Sequence, residues 1–432
     1  MGGLSTAVAL AKAICGASLT LGNGLEVLLE PREGVPWTVV VVGYAAGSRD
    51  EPRDRPQLAH LAELVSSDAA NRSFEGDVVE ELSRLGGSFR SITKSESTLY
   101  IHEGPQRVLP RVLRLEAHRM GNPATGIDLA VFDLKRATVF REFEPRLRRL
   151  RLDVERLEGE EALGLGHPLN PPRRSRLAEI PKHSPKEVRW FLDTYYRPGL
   201  ASLVVIGGFD LETVRQQVEA AFGPLRASTS KVRRRSGPRQ PWRRTAGLTL
   251  WHLGLADGYR TLWALPEARR WGPRAVLAQV LEDRLDERGL GAFFDRRRLE
   301  LLGYRDATLL RFRGTLRRDQ EPEIAEAKVE LSLATALSEP VTDGQLAAAR
   351  SRLRLEENLR AADIEAWGIA AAEALLAGEP STLAARRQAL REVTNAEVER
   401  LAQAIRKARQ VRTQLRYDEA RFFEVKVRQW RP

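Results

Sequence analysis

Residues 226–245 divide this 432-residue chain into two stretches that are laid out alike. Ser, Thr, Arg and Pro dominate there, with Arg233-Arg234-Arg235-Ser236-Gly237-Pro238 near the middle. A segment of that kind reads as a solvated linker rather than a binding tail. Before it, residues 18–31 read as two strands joined at Gly22-Asn23-Gly24, a hairpin signal. Residues 38–44 are a continuous β-branched run expected to be buried on both faces. Helices are expected near 75–85, 105–121 and 126–150, with strands across 88–100. Ser184-Pro185 reads as an N-cap and first-turn proline, opening a helix to about residue 195. A strand at 200–208 and a helix at 211–222, capped by Asp210, complete an α/β or α+β domain of about 225 residues. After the linker the layout starts again. Strands are expected at 248–253, 260–264, 307–314 and 411–417, and helices at 271–288, 319–338, 342–360, 363–377 and 395–408. No sequence repeat is visible, yet the shared order points to two related half-domains, 18–225 and 246–425.

Composition narrows the function classes. Apolar residues make up 42% of the chain, enough for two cores of about 200 residues each. The net charge of +11 arises from 69 basic and 58 acidic residues scattered along the chain. No aromatic stacking platform accompanies them, so nucleic-acid binding is not expected. A basic surface suits acidic peptides or an acidic partner instead. Arginine greatly outnumbers lysine, as in a GC-rich bacterial genome. Cys15 is the only cysteine, which excludes an intrachain disulfide and multi-cysteine zinc sites. No apolar run approaches the roughly 18 residues of a membrane span. Residues 1–17 lack a positive leader, so no signal peptide is expected and the cytoplasm is favoured over the periplasm.

The chemistry-bearing stretch is Arg55-Pro56-Gln57-Leu58-Ala59-His60-Leu61-Ala62-Glu63-Leu64. Pro56 suits a first helical turn, and Leu58, Leu61, Ala62 and Val65 recur at helical spacing. On that helix His60, Glu63 and Leu64 fall at i, i+3 and i+4 and share a face. With histidine at position 64 the face would read His-x-x-Glu-His, in which two imidazoles hold zinc and the glutamate is the general base. Leucine has no lone pair to give.

Several further pieces agree in order and spacing: Leu21-Gly22-Asn23-Gly24-Leu25, Gly47-Ser48-Arg49-Asp50-Glu51, Gly86-Gly87 with Thr93 and Thr98-Leu99-Tyr100, and Tyr196-Arg197-Pro198 with Val204-Val205-Ile206-Gly207. Together they resemble the pitrilysin (insulinase) family of zinc peptidases, in the half-length form of the mitochondrial processing peptidase subunits, from about residue 18 to 420. The resemblance implies an α+β fold of two related half-domains, each a mainly antiparallel sheet flanked by helices, forming half of a clamshell. It places His60 as first metal ligand, Glu63 as general base, Leu64 at the second ligand and Glu142 at the third. Lys135 stands where the family has a supporting glutamate. Ser88, Phe89 and Arg90 lie on the strand that would offer its edge to substrate. No metal is therefore expected in this chain, and His102, His118, His167, His183 and His252 read as isolated histidines.

In the second half, Phe293-Phe294-Asp295-Arg296-Arg297-Arg298-Leu299-Glu300-Leu301-Leu302-Gly303-Tyr304 resembles the segment from which the family's non-zinc half sends an arginine and a tyrosine, seven apart, to the metal site. The match assigns those roles to Arg297 and Tyr304. Taken without the resemblance, Arg297 reads as one of three arginines on a solvated helix end and Tyr304 as a strand residue packed on the sheet. The expectation is a zinc-free subunit whose partner is a homologous chain with intact motif and zinc, together hydrolysing peptides in an enclosed chamber. The alternative is a purely structural subunit resembling the core proteins of the respiratory cytochrome complex.

Overall fold

The computed structural model describes residues 16–148, 150–172, 174–227, 232, 234, 235, 237, 246–252, 256–418 and 423–429. The signal-peptide expectation and most of the linker lie outside these residues. Strands β1 (Ala17–Thr20), β2 (Glu26–Pro31), β3 (Trp37–Tyr44), β4 (Ser88–Thr93), β5 (Thr98–Pro105) and β6 (Ala201–Gly207) form one sheet, ordered β1-β2-β6-β3-β5-β4. Strands β7 (Ala246–His252), β8 (Gly258–Leu265), β9 (Phe294–Gly303), β10 (Thr308–Leu316), β11 (Arg409–Tyr417) and β12 (Phe423–Gln429) form a second, ordered β12-β7-β11-β8-β10-β9. In each sheet the second and third strands are parallel, β2 with β6 and β7 with β11. The remaining described pairings are antiparallel. Five strands therefore correspond one to one in the two halves. Only the outer edge differs, filled by a preceding strand in the first sheet and a following one in the second. The α+β architecture of two mainly antiparallel, helix-flanked sheets expected from the sequence is the one observed.

The helices are α1 (Leu58–Ser73), α2 (Val78–Arg84), α3 (Leu109–Gly121), α4 (Leu129–Arg148), α5 (Leu150–Leu163), α6 (Pro185–Tyr195), α7 (Leu211–Phe222), α8 (Trp271–Glu287), α9 (Pro322–Ser338), α10 (Asp343–Ala362), α11 (Ile364–Ala377), α12 (Leu383–Glu392) and α13 (Asn395–Lys407). The expected caps are present. Ser184 and Glu187 form a reciprocal capping box on α6, and Asp210 accepts from the Thr213 amide at 2.8 Å on α7. Strands β9 and β12 and helices α5 and α12 were not expected from the sequence. Among the described residues no helix is long and apolar enough to cross a membrane.

The chain forms two compact units, and each takes in a helix from the other half of the sequence. One comprises residues up to Glu142, Ser175–Arg234 and Leu359–Leu383; the other comprises Phe143–Arg174, Arg235–Asn358 and from Ala384 onward. In the first unit α11 lies on β3 and β6. Its Gly368 lets the backbone approach Val39 and Val41, where an added Cβ would stand 3.4 and 3.2 Å from their methyls. The neighbouring Trp367 is wholly buried and donates its indole N–H to Glu30 Oε2 at 2.9 Å. Helix α3 also packs on β3, and every residue from Thr38 to Tyr44 is buried, as its β-branched run predicts. In the second unit α5 packs its Val154 and Ala162 against Leu262 and Ala264 of β8 and Val411 and Leu415 of β11.

Candidate functional site

Helix α1 begins abruptly. Gln57 adopts a left-handed φ of 64°, unusual for a residue with a side chain. The Glu51 carboxylate accepts from the Gln57 and Ala59 amides, each at 3.0 Å, and so satisfies the donors a helix start leaves open. That cap fixes where the face bearing His60 and Leu64 begins. Helix α4 runs antiparallel beside it. His60 Nε2 lies 3.6 Å from Glu142 Oε2, and two turns along α1, Asp68 Oδ1 lies 3.6 Å from Lys135 Nζ. The structure thus brings together His60 and Glu142, with half-buried Leu64 one turn from His60 on the same stripe. Lys135 faces α1, with its charge engaged by Asp68.

Glu63 points the other way, into the unit. It is 2% exposed and accepts a hydrogen bond from the Thr93 hydroxyl of β4. The Tyr100 hydroxyl lies 3.3 Å from both the Glu63 carbonyl oxygen and the Tyr196 hydroxyl. Burial pushes the Tyr100 and Tyr196 hydroxyls up, so both stay protonated donors. Thr93→Val is expected to destabilise the chain by about 1–3 kcal/mol in urea unfolding, because a buried carboxylate loses its donor. An unchanged midpoint would show that water replaces the hydroxyl.

Three protein ligands are usual for catalytic zinc, and the residues here do not fit that requirement. His60 and Glu142 are two donors, and the position one turn from His60 carries a hydrocarbon. Among the described residues no group of three or more His, Cys, Asp or Glu side chains is placed to hold a metal ion. The histidines of the described core are occupied otherwise. His102 Nε2 lies 2.6 Å from Glu116 Oε1, His118 Nε2 2.8 Å from Ser73 Oγ, and His183 Nε2 2.8 Å from the Pro56 carbonyl oxygen. His167 Nδ1 accepts from the Leu169 amide at 3.2 Å. The His252 side chain lies outside the described residues.

Sequence reading missed the buried charges behind this face. On α3, Arg119 Nη2 meets Glu116 Oε1 at 3.0 Å, and the Arg119 guanidinium lies 4.0 Å from the Tyr100 ring centroid. The available signal was a Glu and an Arg at i and i+3 on an otherwise apolar helix face.

Strand β4 is an edge of its sheet, paired with β5 alone. Phe89 turns inward, its ring 4.6 Å from that of His102. Ser88 and Arg90 are exposed, and Arg90 Nε donates to Glu365 Oε1 of α11 at 2.7 Å. In the second unit β9 is the corresponding edge strand, and α8 holds the place along the chain that α1 holds in the first. Arg297 therefore stands on a strand, not on a solvated helix end. Its guanidinium binds Glu282 and Asp286 of α8. Burial opposes its charge, but the two carboxylates more than offset that and hold its pKa above the ordinary arginine value. Tyr304 begins the loop to β10, its amide donating to the Ala307 carbonyl at 2.8 Å. It lies half-buried against the apolar cluster that includes Ala307, Leu309 and the α5 residues. Arg297 thus points from β9 toward α8, whereas Tyr304, just past the end of that strand, rests against a different apolar cluster.

Residues 27–125 match the profile of the insulinase family, Peptidase family M16. Over those residues the chain carries a Peptidase M16 (insulinase-like) domain. It is 25% identical over 216 residues to the zinc protease PqqE of Helicobacter pylori, covering 50% of this chain and 48% of that protein. It is 25% identical over 206 residues to the mitochondrial-processing peptidase subunit beta of Rattus norvegicus, covering 47% and 41%. The match thus spans less than half the length of these relatives. The fold matches the first half of the periplasmic protease PqqL from Escherichia coli with a TM-score of 0.74 at 16% identity, over 94% of this chain and 92% of that one. It matches pitrilysin with a TM-score of 0.70 at 15% identity, over 96% and 47%.

Proposed function

We propose that this chain is the metal-free subunit of a two-chain insulinase-type peptidase. Its partner is a homologous chain carrying an intact His-x-x-Glu-His and its zinc. The observation that carries the reading is the donor set between α1 and α4: His60 and Glu142 remain opposed while Leu64 stands where a second imidazole is needed. Names of the matched relatives, a zinc protease and a processing-peptidase subunit, favour peptide substrates. The open edge of β4 at Ser88, Phe89 and Arg90 supplies unpaired backbone groups to which an extended peptide adds as a strand. In this reading Tyr304 donates its hydroxyl to the developing oxyanion at the partner's metal site and Arg297 holds a substrate carbonyl or carboxylate, once released from Glu282 and Asp286.

A second reading, an assembly subunit without catalytic contribution, is favoured by those two carboxylates, which already occupy the Arg297 guanidinium. Peptide hydrolysis and zinc content, measured for the chain alone and mixed with the homologous subunit, test both. The proposal expects activity and about one zinc only in the mixture, and a loss of roughly 10²-fold with Tyr304→Phe. Mixture activity indifferent to Tyr304→Phe and Arg297→Gln would leave the assembly role. Zinc and turnover in the chain alone would overturn the reading of Leu64.

A further inference from the structure

Helices α10 and α12 of the second unit enclose an open groove of about 470 Å³ that none of the peptidase-like motifs touches. Ser351, Arg354, Leu355 and Asn358 line it from α10, spaced along one helical face, and Arg387 and Arg391 line it from α12, one turn apart. Several other arginines of this unit are answered by carboxylates: Arg311 and Arg313 by Glu300, Arg352 by Asp283, Arg386 by Glu357. Among the described residues, the groove arginines meet only neutral groups. Arg354 Nη2 donates to Ser351 Oγ at 3.4 Å, Arg387 Nη2 to Asn358 Oδ1 at 2.7 Å, and Arg391 Nε to Gln388 Oε1 at 3.1 Å. The nearest acid in sequence, Glu392, accepts from Gln388 instead. Three guanidiniums line the groove with no countercharge among the described residues, and Leu355 is 58% exposed beside them.

We propose that this groove docks an acidic segment of a partner protein, with carboxylates one helical turn apart and an apolar side chain to cover Leu355. The i, i+4 spacing of Arg387 and Arg391 matches carboxylates at i, i+4 on a docked helix. Each planar guanidinium presents paired N–H donors to a carboxylate. A nucleic acid fits less well, because neither an aromatic side chain for stacking nor a lysine lines the groove. The exposed leucine and the open shape suit an amphipathic chain better than a small phosphorylated molecule. The site is independent of the peptidase reading, since its residues lie outside every motif that supports it.

The test is fluorescence anisotropy on the full chain with a labelled helical peptide of glutamate, alanine and leucine, its all-glutamine counterpart, inorganic pyrophosphate and a short DNA duplex. Saturable binding of the glutamate peptide is expected, weakening with salt and falling about 10-fold or more in Arg387→Glu and in Arg391→Glu. Arg84→Glu on α2 makes the same charge change on the first unit and is expected to leave affinity unchanged. Arg387→Gln, which keeps helix propensity and is checked by circular dichroism, is expected to lose part of the affinity. No binding, equal binding of the glutamine peptide, or equal loss with Arg84→Glu would each overturn the proposal. So would tighter, Arg387-dependent binding of pyrophosphate or DNA, which would reassign the groove to phosphates.

Discussion

Glu116→Gln is expected to destabilise the first unit by about 3–5 kcal/mol, the cost of leaving a buried charge without its partner. Arg119 is 1% exposed, and Glu116 is wholly buried. A glutamine can still accept a hydrogen bond from His102 or Arg119, but it cannot neutralise the guanidinium beneath Tyr100. The pH dependence follows from the same geometry. Burial alone raises the Glu116 pKa, yet the Arg119 charge and the His102 hydrogen bond outweigh it and hold the carboxyl below the usual range. A folded pKa below the unfolded value contributes stability that is fully present above about pH 4.3 and is lost as pH falls through the folded value. Glutamine does not titrate, so the wild-type advantage is expected to shrink in acid. Urea midpoints of both proteins at neutral and acidic pH measure the gap. The double change Glu116→Leu with Arg119→Met is expected to recover most of the loss, because it removes both charges together. A neutral-pH cost below about 1 kcal/mol would mean that solvent reaches Arg119.

What was legible in the sequence follows the range over which each signal acts. The α1 face was readable because helical spacing alone puts His60 and Leu64 together, and an antiparallel α4 then brings Glu142 to His60. The inward turn of Glu63 was not, because it depends on where Thr93 lands in β4. Strand β9 escaped because its local composition, Arg296-Arg297-Arg298, opposes strand formation. Non-local pairing overrides it: Glu300 sits directly opposite Arg311 in the β10 register, and its carboxylate also binds Arg313. Helix α5 was hidden for a different reason. It follows α4 through an Arg- and Leu-rich run, and the nearest break signal, Pro145, lies inside α4 rather than at its end. That α5 and α11 pack on sheets assembled mostly from the other half of the chain has no local signature at all.

Leu64→His is expected to raise the zinc content of this chain to about one per molecule, since it restores three protein donors. The other two need little movement, for His60 and Glu142 already face each other at 3.6 Å. Position 64 is half-buried, one turn along the same stripe, so an imidazole replaces its leucine at small packing cost. The obstacle left is Lys135. Its ammonium sits 3.6 Å from Asp68, one turn beyond residue 64, and a cation there opposes a dication while orienting none of its ligands. Adding Lys135→Glu is therefore expected to strengthen zinc binding by roughly 10–100-fold, the usual scale for groups that support metal ligands. Zinc analysis after dialysis and a competitive chelator titration read both effects, and His60→Ala in the Leu64→His background is expected to abolish them. A folded Leu64→His chain that takes up no zinc would mean that the spacing of α1 and α4, rather than one hydrocarbon side chain, keeps the metal out. Uptake without turnover would separate two roles that the motif joins: His60 and Glu142 hold the metal, while Glu63, tied to Thr93, is not presented as a base.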